Sequence, residues 1–123
     1  MSSEITMTTK EPFPYVLVKK PGEPFKKALF PDPDSDRQLE WLQKQVGGYI
    51  ETVPVEPLDA KLLLICNEEG KLMGLEPNVC IAGDIIMGTI VIVSYKGEEM
   101  VHLTEEQYSR FRAVCDKRWF PED

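Results

Sequence analysis

This chain of 123 residues contains one histidine, three cysteines and no apolar run long enough to cross a membrane, and each scarcity removes a class of chemistry. A structural zinc site needs four nitrogen or sulfur ligands, usually in close pairs. His102 is the sole imidazole and Cys66, Cys80 and Cys115 stand far apart, so the spacing for such a site is missing. The odd count and apolar context of the cysteines fit reduced thiols acting as small core residues, not a disulfide framework. The longest apolar stretch, residues 85–93, is broken by Gly88 and Thr89 and has about half the length of a membrane-spanning helix. Residues 1–11 hold no apolar block of the secretory type. A cytoplasmic protein with no membrane partner is expected. Positive charge is also in short supply: 14 Lys and Arg against 21 Asp and Glu leave a net charge of −7. That balance disfavours direct nucleic-acid binding unless a local basic patch overrides the overall field. The only paired lysines, Lys19-Lys20 and Lys26-Lys27, have proline and glutamate nearby and read as a solvated hairpin rim.

Catalytic patterns are missing as well. There is no phosphate-cradling glycine loop, dinucleotide fingerprint or Gly-x-Ser-x-Gly elbow. Gly47-Gly48 does not substitute, because it falls at a helix C-terminus, the end that repels anions. A cysteine nucleophile needs a base within hydrogen-bond reach, which leaves Cys80 with His102 as the one conceivable pair. A buried thiol and an edge-strand histidine explain the same residues more simply. Glu68-Glu69 and Glu98-Glu99 lie at turns, and Glu105-Glu106 complements a helix dipole. The residues therefore lead us to expect no enzyme, no cofactor and no metal.

What remains describes a fold. Residues 1–11 are polar and without periodicity, an arm preceding a single domain at residues 12–123. Residues 15–18 and 25–30 flank the turn Pro21-Gly22-Glu23-Pro24, which predicts a first hairpin. Ser35 and Gln38 form a capping-box pattern for a helix whose apolar face is Leu39, Leu42 and Val46, with Trp41 beside them and Gly47-Gly48 as a left-handed stop. Strands are predicted at residues 49–55, with Pro54 suiting a sheet edge, and at residues 60–66, more apolar and central. Lys71-Leu72-Met73 reads as a short returning partner, residues 76–83 as a loop or helical turn, and residues 88–95 as another strand. Residues 100–103 continue the sheet beyond the turn Lys96-Gly97. Thr104 with Gln107 makes a second capping box, with Leu103 and Tyr108 placed as a staple and Tyr108, Phe111 and Cys115 along one helical face. The sum is α+β, a mostly antiparallel sheet with two helices packed on it.

Polar groups concentrate after the apolar run Leu62-Leu63-Leu64-Ile65. Asn67-Glu68-Glu69-Gly70 has the asparagine start and glycine finish of a turn. The same stretch also offers Asn67, Glu68, Lys71 and Asn78 as a polar binding site for a small anionic or nucleotide-like ligand. Both readings stay open on the residues alone. Residues 39–103 resemble a family of small proteins catalogued as the domain of unknown function thirty-eight forty-six. The resemblance is carried by Leu42-Gln43-x-x-Val46-Gly47-Gly48-Tyr49-Ile50-Glu51-x-Val53-Pro54, by Asn67-Glu68-Glu69-Gly70-Lys71-Leu72 with Gly74-Leu75-x-Pro77-Asn78, and by Asp84-Ile85-Ile86-x-Gly88-Thr89. It implies a setting, the accessory genes of phages, plasmids and integrative elements in bacteria, and no activity.

Small size, acidic charge, missing catalytic motifs and that setting lead to one expected function. The chain would be a mobile-element accessory protein that binds a host defence protein stoichiometrically and inhibits it, in the cytoplasm of a bacterial host cell. An acidic surface suits a nucleic-acid-binding defence protein as the partner, and Trp119 and Phe120 are candidate interface anchors. The alternative is a sponge that sequesters a nucleotide immune signal at Asn67, Lys71 and Asn78. Residues 49–55 or the aromatic pair would also serve a homodimer, and ordinary packing explains both equally well.

Overall fold

The computed structural model describes residues 14–31, 36–55, 61–81 and 83–118, with residues 114–118 described by their backbone alone. Ser35, the arm at residues 1–11 and the pair Trp119-Phe120 lie outside the described residues, as does the side chain of Cys115.

Among the described residues the apolar segments pair as eight strands, β1 (Tyr15–Lys19), β2 (Lys26–Leu29), β3 (Ile50–Pro54), β4 (Leu62–Asn67), β5 (Pro77–Ile81), β6 (Asp84–Met87), β7 (Ile90–Lys96) and β8 (Glu99–Val101). Among the described residues, two helices, α1 (Arg37–Val46) and α2 (Glu105–Arg118), join these strands in an α+β domain. The main sheet runs β2-β1-β7-β4-β3, and β8 pairs with β7 beyond the end of β1. Every pairing is antiparallel, and β5 and β6 form a separate hairpin.

Residues 90–94 of β7 are all buried, so both faces of the sheet are covered. Alternation assigns Val91, Val93, Val18 and Ala28 to one face, where α1 lies with Leu42 and Val46 inward. Ile90, Ile92, Leu17 and Leu64 point to the other. There Phe111 of α2 meets Phe25 edge to face at 5.1 Å, and the β5–β6 hairpin covers β4. The C-terminal capping box closes as the sequence predicts. The Thr104 N–H donates to Gln107 Oε1 at 2.9 Å, and the Gln107 N–H to Thr104 Oγ1 at 3.1 Å.

Several expectations need correction. Residues 71–74 are successive turns and not a strand, since the Met73 N–H donates to the Glu69 carbonyl and that of Leu75 to Gly70. Residues 77–81 form a strand where a loop or helical turn was expected, because Asp84–Met87 folds back on them across Gly83. A local reading does not show that partner. The strand expected at residues 88–95 begins at Ile90, and Gly88 with Thr89 separates it from β6. Leu39 is 51% exposed, so the apolar face of α1 is narrower than its pattern implies. Gln38 donates to the Pro31 and Met100 carbonyls, at 3.0 and 3.2 Å, and Asp36 occupies the N-cap without a side-chain bond. Lys19 is no solvated rim residue: it is 4% exposed beneath β5.

Candidate functional site

The end of β4 is built around Asn67. Its Oδ1 accepts the Glu69 N–H at 2.7 Å, which shapes the turn, and its Nδ2 donates to the Val46 carbonyl at the end of α1 at 3.1 Å. Gly47, at φ 81°, ends the helix in the left-handed conformation. A Cβ on Gly48 would stand 2.9 Å from Asn67 Nδ2. The glycine pair therefore stops α1 and leaves room for the asparagine amide.

Held by these bonds, the following turns project two large apolar side chains. Leu72 is 87% exposed and Met73 about half exposed, with its sulfur 3.5 Å from Asn67 Nδ2. Ile85 of β6 and Tyr49, whose carbonyl accepts the Glu68 N–H at 2.9 Å, are also exposed. Between the turn and β6 lies a cleft of about 280 Å³, with Leu72, Ile85 and the carboxylates of Glu51, Glu68, Glu69 and Asp84 on its wall. Lys71, the single cation of that lining among the described residues, binds Asp84 at 2.8 Å, and this hydrogen bond raises the ammonium pKa above its ordinary value, with the Asp84 charge adding to it. The Cys66 thiol lies at the floor. Burial pushes its pKa up to about 11, and the charges of Glu51 and Asp84 push in the same direction. It stays protonated near neutral pH and is a poor nucleophile.

Asn67, Glu68 and Lys71 thus share one cleft, and Asn78 is not among its lining residues. Asn78 Nδ2 donates to the carbonyls of Lys19 and Gly88, both at 2.8 Å, and its Oδ1 accepts from the Lys19 ammonium. That ammonium has a lowered pKa because burial penalises its charge, with the Glu23 charge acting against the shift. Cys80 lies half-buried in β5, and His102 places Nδ1 2.9 Å from the Leu103 carbonyl oxygen. Neither residue lines the cleft. Among the described residues no group of three or more His, Cys, Asp or Glu is placed to hold a metal ion, and no helix is long and apolar enough to cross a membrane.

Sequence reasoning passed over Leu72, Met73 and Ile85. The available signal was an apolar pair bracketed by Gly70 and Gly74, where a turn exposes what a strand would bury. Chemically, the arrangement offers apolar contact area inside a carboxylate rim.

The chain belongs to the family described as a domain of unknown function, DUF3846, which matches residues 14–116. No curated protein and no solved structure matches it.

Proposed function

We propose that this protein works by stoichiometric binding to another protein, as an accessory protein of a phage or other mobile element that inhibits a bacterial host defence protein in the cytoplasm. The observation that supports this reading best is the acid-rimmed apolar end, where Leu72, Met73 and Ile85 are exposed beside Glu51, Glu68, Glu69 and Asp84. Exposed apolar groups inside a charged rim have the anatomy of an interface, and carboxylates favour a partner whose own surface is basic, as a nucleic-acid-binding protein's is. The nucleotide-sponge alternative draws less support: Asn67 and Lys71 share the cleft but bond to Val46, Glu69 and Asp84, and Asn78 lies outside its lining, bonded to Lys19 and Gly88.

The test pairs a cellular assay with a stability control. Bacteria carrying defined defence systems are challenged with phage in the presence of the wild-type protein or a Leu72→Ser/Ile85→Ser double variant. The wild type should restore infection against one system and co-purify with a component of it in fixed ratio. The variant should lose both effects while its unfolding free energy stays within about 0.5 kcal/mol, as for other exposed substitutions. A variant that keeps full activity removes the acid-rimmed end from the mechanism.

A further inference from the structure

A second surface carries the opposite charge. Arg37, Trp41 and Lys44 fall at i, i+4 and i+7, so one face of α1 presents them in a row about 10 Å long at 1.5 Å per residue. Two open clefts share Trp41. One, of about 330 Å³, lies between α1 and the first hairpin and includes Lys20 and Lys26; the other, of about 520 Å³, includes Arg37 and Lys44. Among the described residues the acids of the two linings are Glu23, 3.6 Å from Lys26, and Glu40. Lys27 also borders the first cleft, but its ammonium sits 5.1 Å over the Tyr108 ring and takes no part here. Phe30 packs edge to face on the indole at 5.7 Å, which braces Trp41 between the two clefts.

We infer that the groove flanking Trp41 binds single-stranded nucleic acid, one base stacking on the indole while phosphates meet Lys20, Lys26, Arg37 and Lys44. A braced aromatic ring between cations is the pairing that a strand of bases and phosphates requires, and stacking on it is tolerant of sequence. An acidic peptide would use the cations and leave the ring as mere wall. A lone nucleotide would need an enclosing pocket, and these clefts are open on both sides of Trp41. The net charge of −7 does not forbid the contact. Lys20 and Lys26 stand on the first hairpin, and β2 is separated from β3 at the acidic end by four strand spacings, about 19 Å, whereas screening at physiological salt acts over about 8 Å; Lys44 stands nearer, on α1, whose last carbonyl meets Asn67. The local basic patch is the exception that the overall charge left open.

The test uses the full chain and a fluorescent ten-residue oligothymidine, followed by anisotropy at 50 and 200 mM salt. Three to four phosphate contacts on a single strand predict an affinity that falls roughly 20- to 50-fold over that range, from a slope of about −0.7 per phosphate. Lys20→Glu/Lys44→Glu should weaken binding at least tenfold at 50 mM salt. Trp41→Leu should weaken it about fivefold or more without changing the salt slope, and Trp41→Phe, which keeps a ring, should retain most of the affinity. Thermal unfolding of each variant verifies that it is folded. No anisotropy change at 50 mM salt would overturn the inference. So would a Trp41→Leu protein that is folded and binds as tightly as wild type, a polyglutamate peptide that competes as well as the oligonucleotide, or thymidine monophosphate that does so.

Discussion

The acid-rimmed end and the basic flank belong to one sheet and are held in shape by different forces. At the acidic end Leu72 and Met73 stand on turns, and the segments there are stitched by polar bonds: Asn67 to Val46 and Glu69, Asn78 to Lys19 and Gly88. On the basic flank the side chains stand on a helix and a hairpin whose inner faces bury Leu42, Val46 and Val16, with Phe30 packed on Trp41. A surface built from loops needs buried hydrogen bonds to fix it, because loops bury too little apolar area to do so. A helix resting on a sheet is fixed by packing, and its outer face is free to carry charge.

The largest expected effect breaks the packed side. Leu42 is 1% exposed, and Leu42→Ala should cost about 2–5 kcal/mol of stability, measured by urea unfolding. Native-state hydrogen exchange in the same variant should quicken in α1 well before the turns at residues 68–75. Equal acceleration in both would mean that the two surfaces open as one unit.

A smaller loss, about 2–3 kcal/mol, is expected for Asn67→Ala, which leaves the Val46 carbonyl and the Glu69 N–H without their side-chain partner. Asn67→Asp sharpens the comparison. The carboxylate can still accept from Glu69 and shape the turn, but it cannot donate to Val46 while ionised, so the link to α1 should fail with the turn intact. Chemical shifts at Gly47 and Gly48 should then move while those at Glu69 stay. If Asn67→Ala leaves both stability and shifts unchanged, the staple is not what holds the acidic end.

The packed side was the more legible in the sequence. Strand alternation, the spacing of Leu42 and Val46, the glycine stop and the Thr104–Gln107 box are local patterns with local causes, and they appear where the residues put them. The acidic end was half legible. Asn67 and Gly70 announced a turn, but nothing local showed that Asn67 reaches 21 residues back to Val46 or that Asn78 is taken up by Lys19. Those bonds join segments that only the tertiary fold brings together, as does the hairpin that places Ile85 beside Leu72. The basic flank was hidden for the same reason. Lys44 neighbours Trp41 within α1, but Lys20 and Lys26 come to border the same ring only once the fold sets the first hairpin beside α1.

The smallest effect concerns two thiols and separates the interior of the acidic end from its hairpin cover. Cys66 is buried, with its pKa pushed from the usual 9.0 up to about 11, whereas Cys80 in β5 is half-exposed. Iodoacetamide at pH 8, followed by peptide mass mapping, should modify Cys80 first and reach Cys66 only through unfolding, because alkylation requires the thiolate. The same shift sets a pH dependence. A thiol whose pKa is higher in the fold than in the unfolded chain favours the fold fully below about pH 9, and that contribution is lost as pH rises toward 11. Lys19 acts oppositely: its lowered pKa makes the charged fold costly, and that cost is relieved as pH rises toward 10.5. Cys66→Ala separates the two, since it should abolish the loss above pH 9 and leave the Lys19 gain, so that stability relative to the wild type rises between pH 9 and 10.5. An identical decline in both proteins would show that the Cys66 thiol titrates no higher in the fold than in the unfolded chain, and that neither its burial nor the charges of Glu51 and Asp84 act on it.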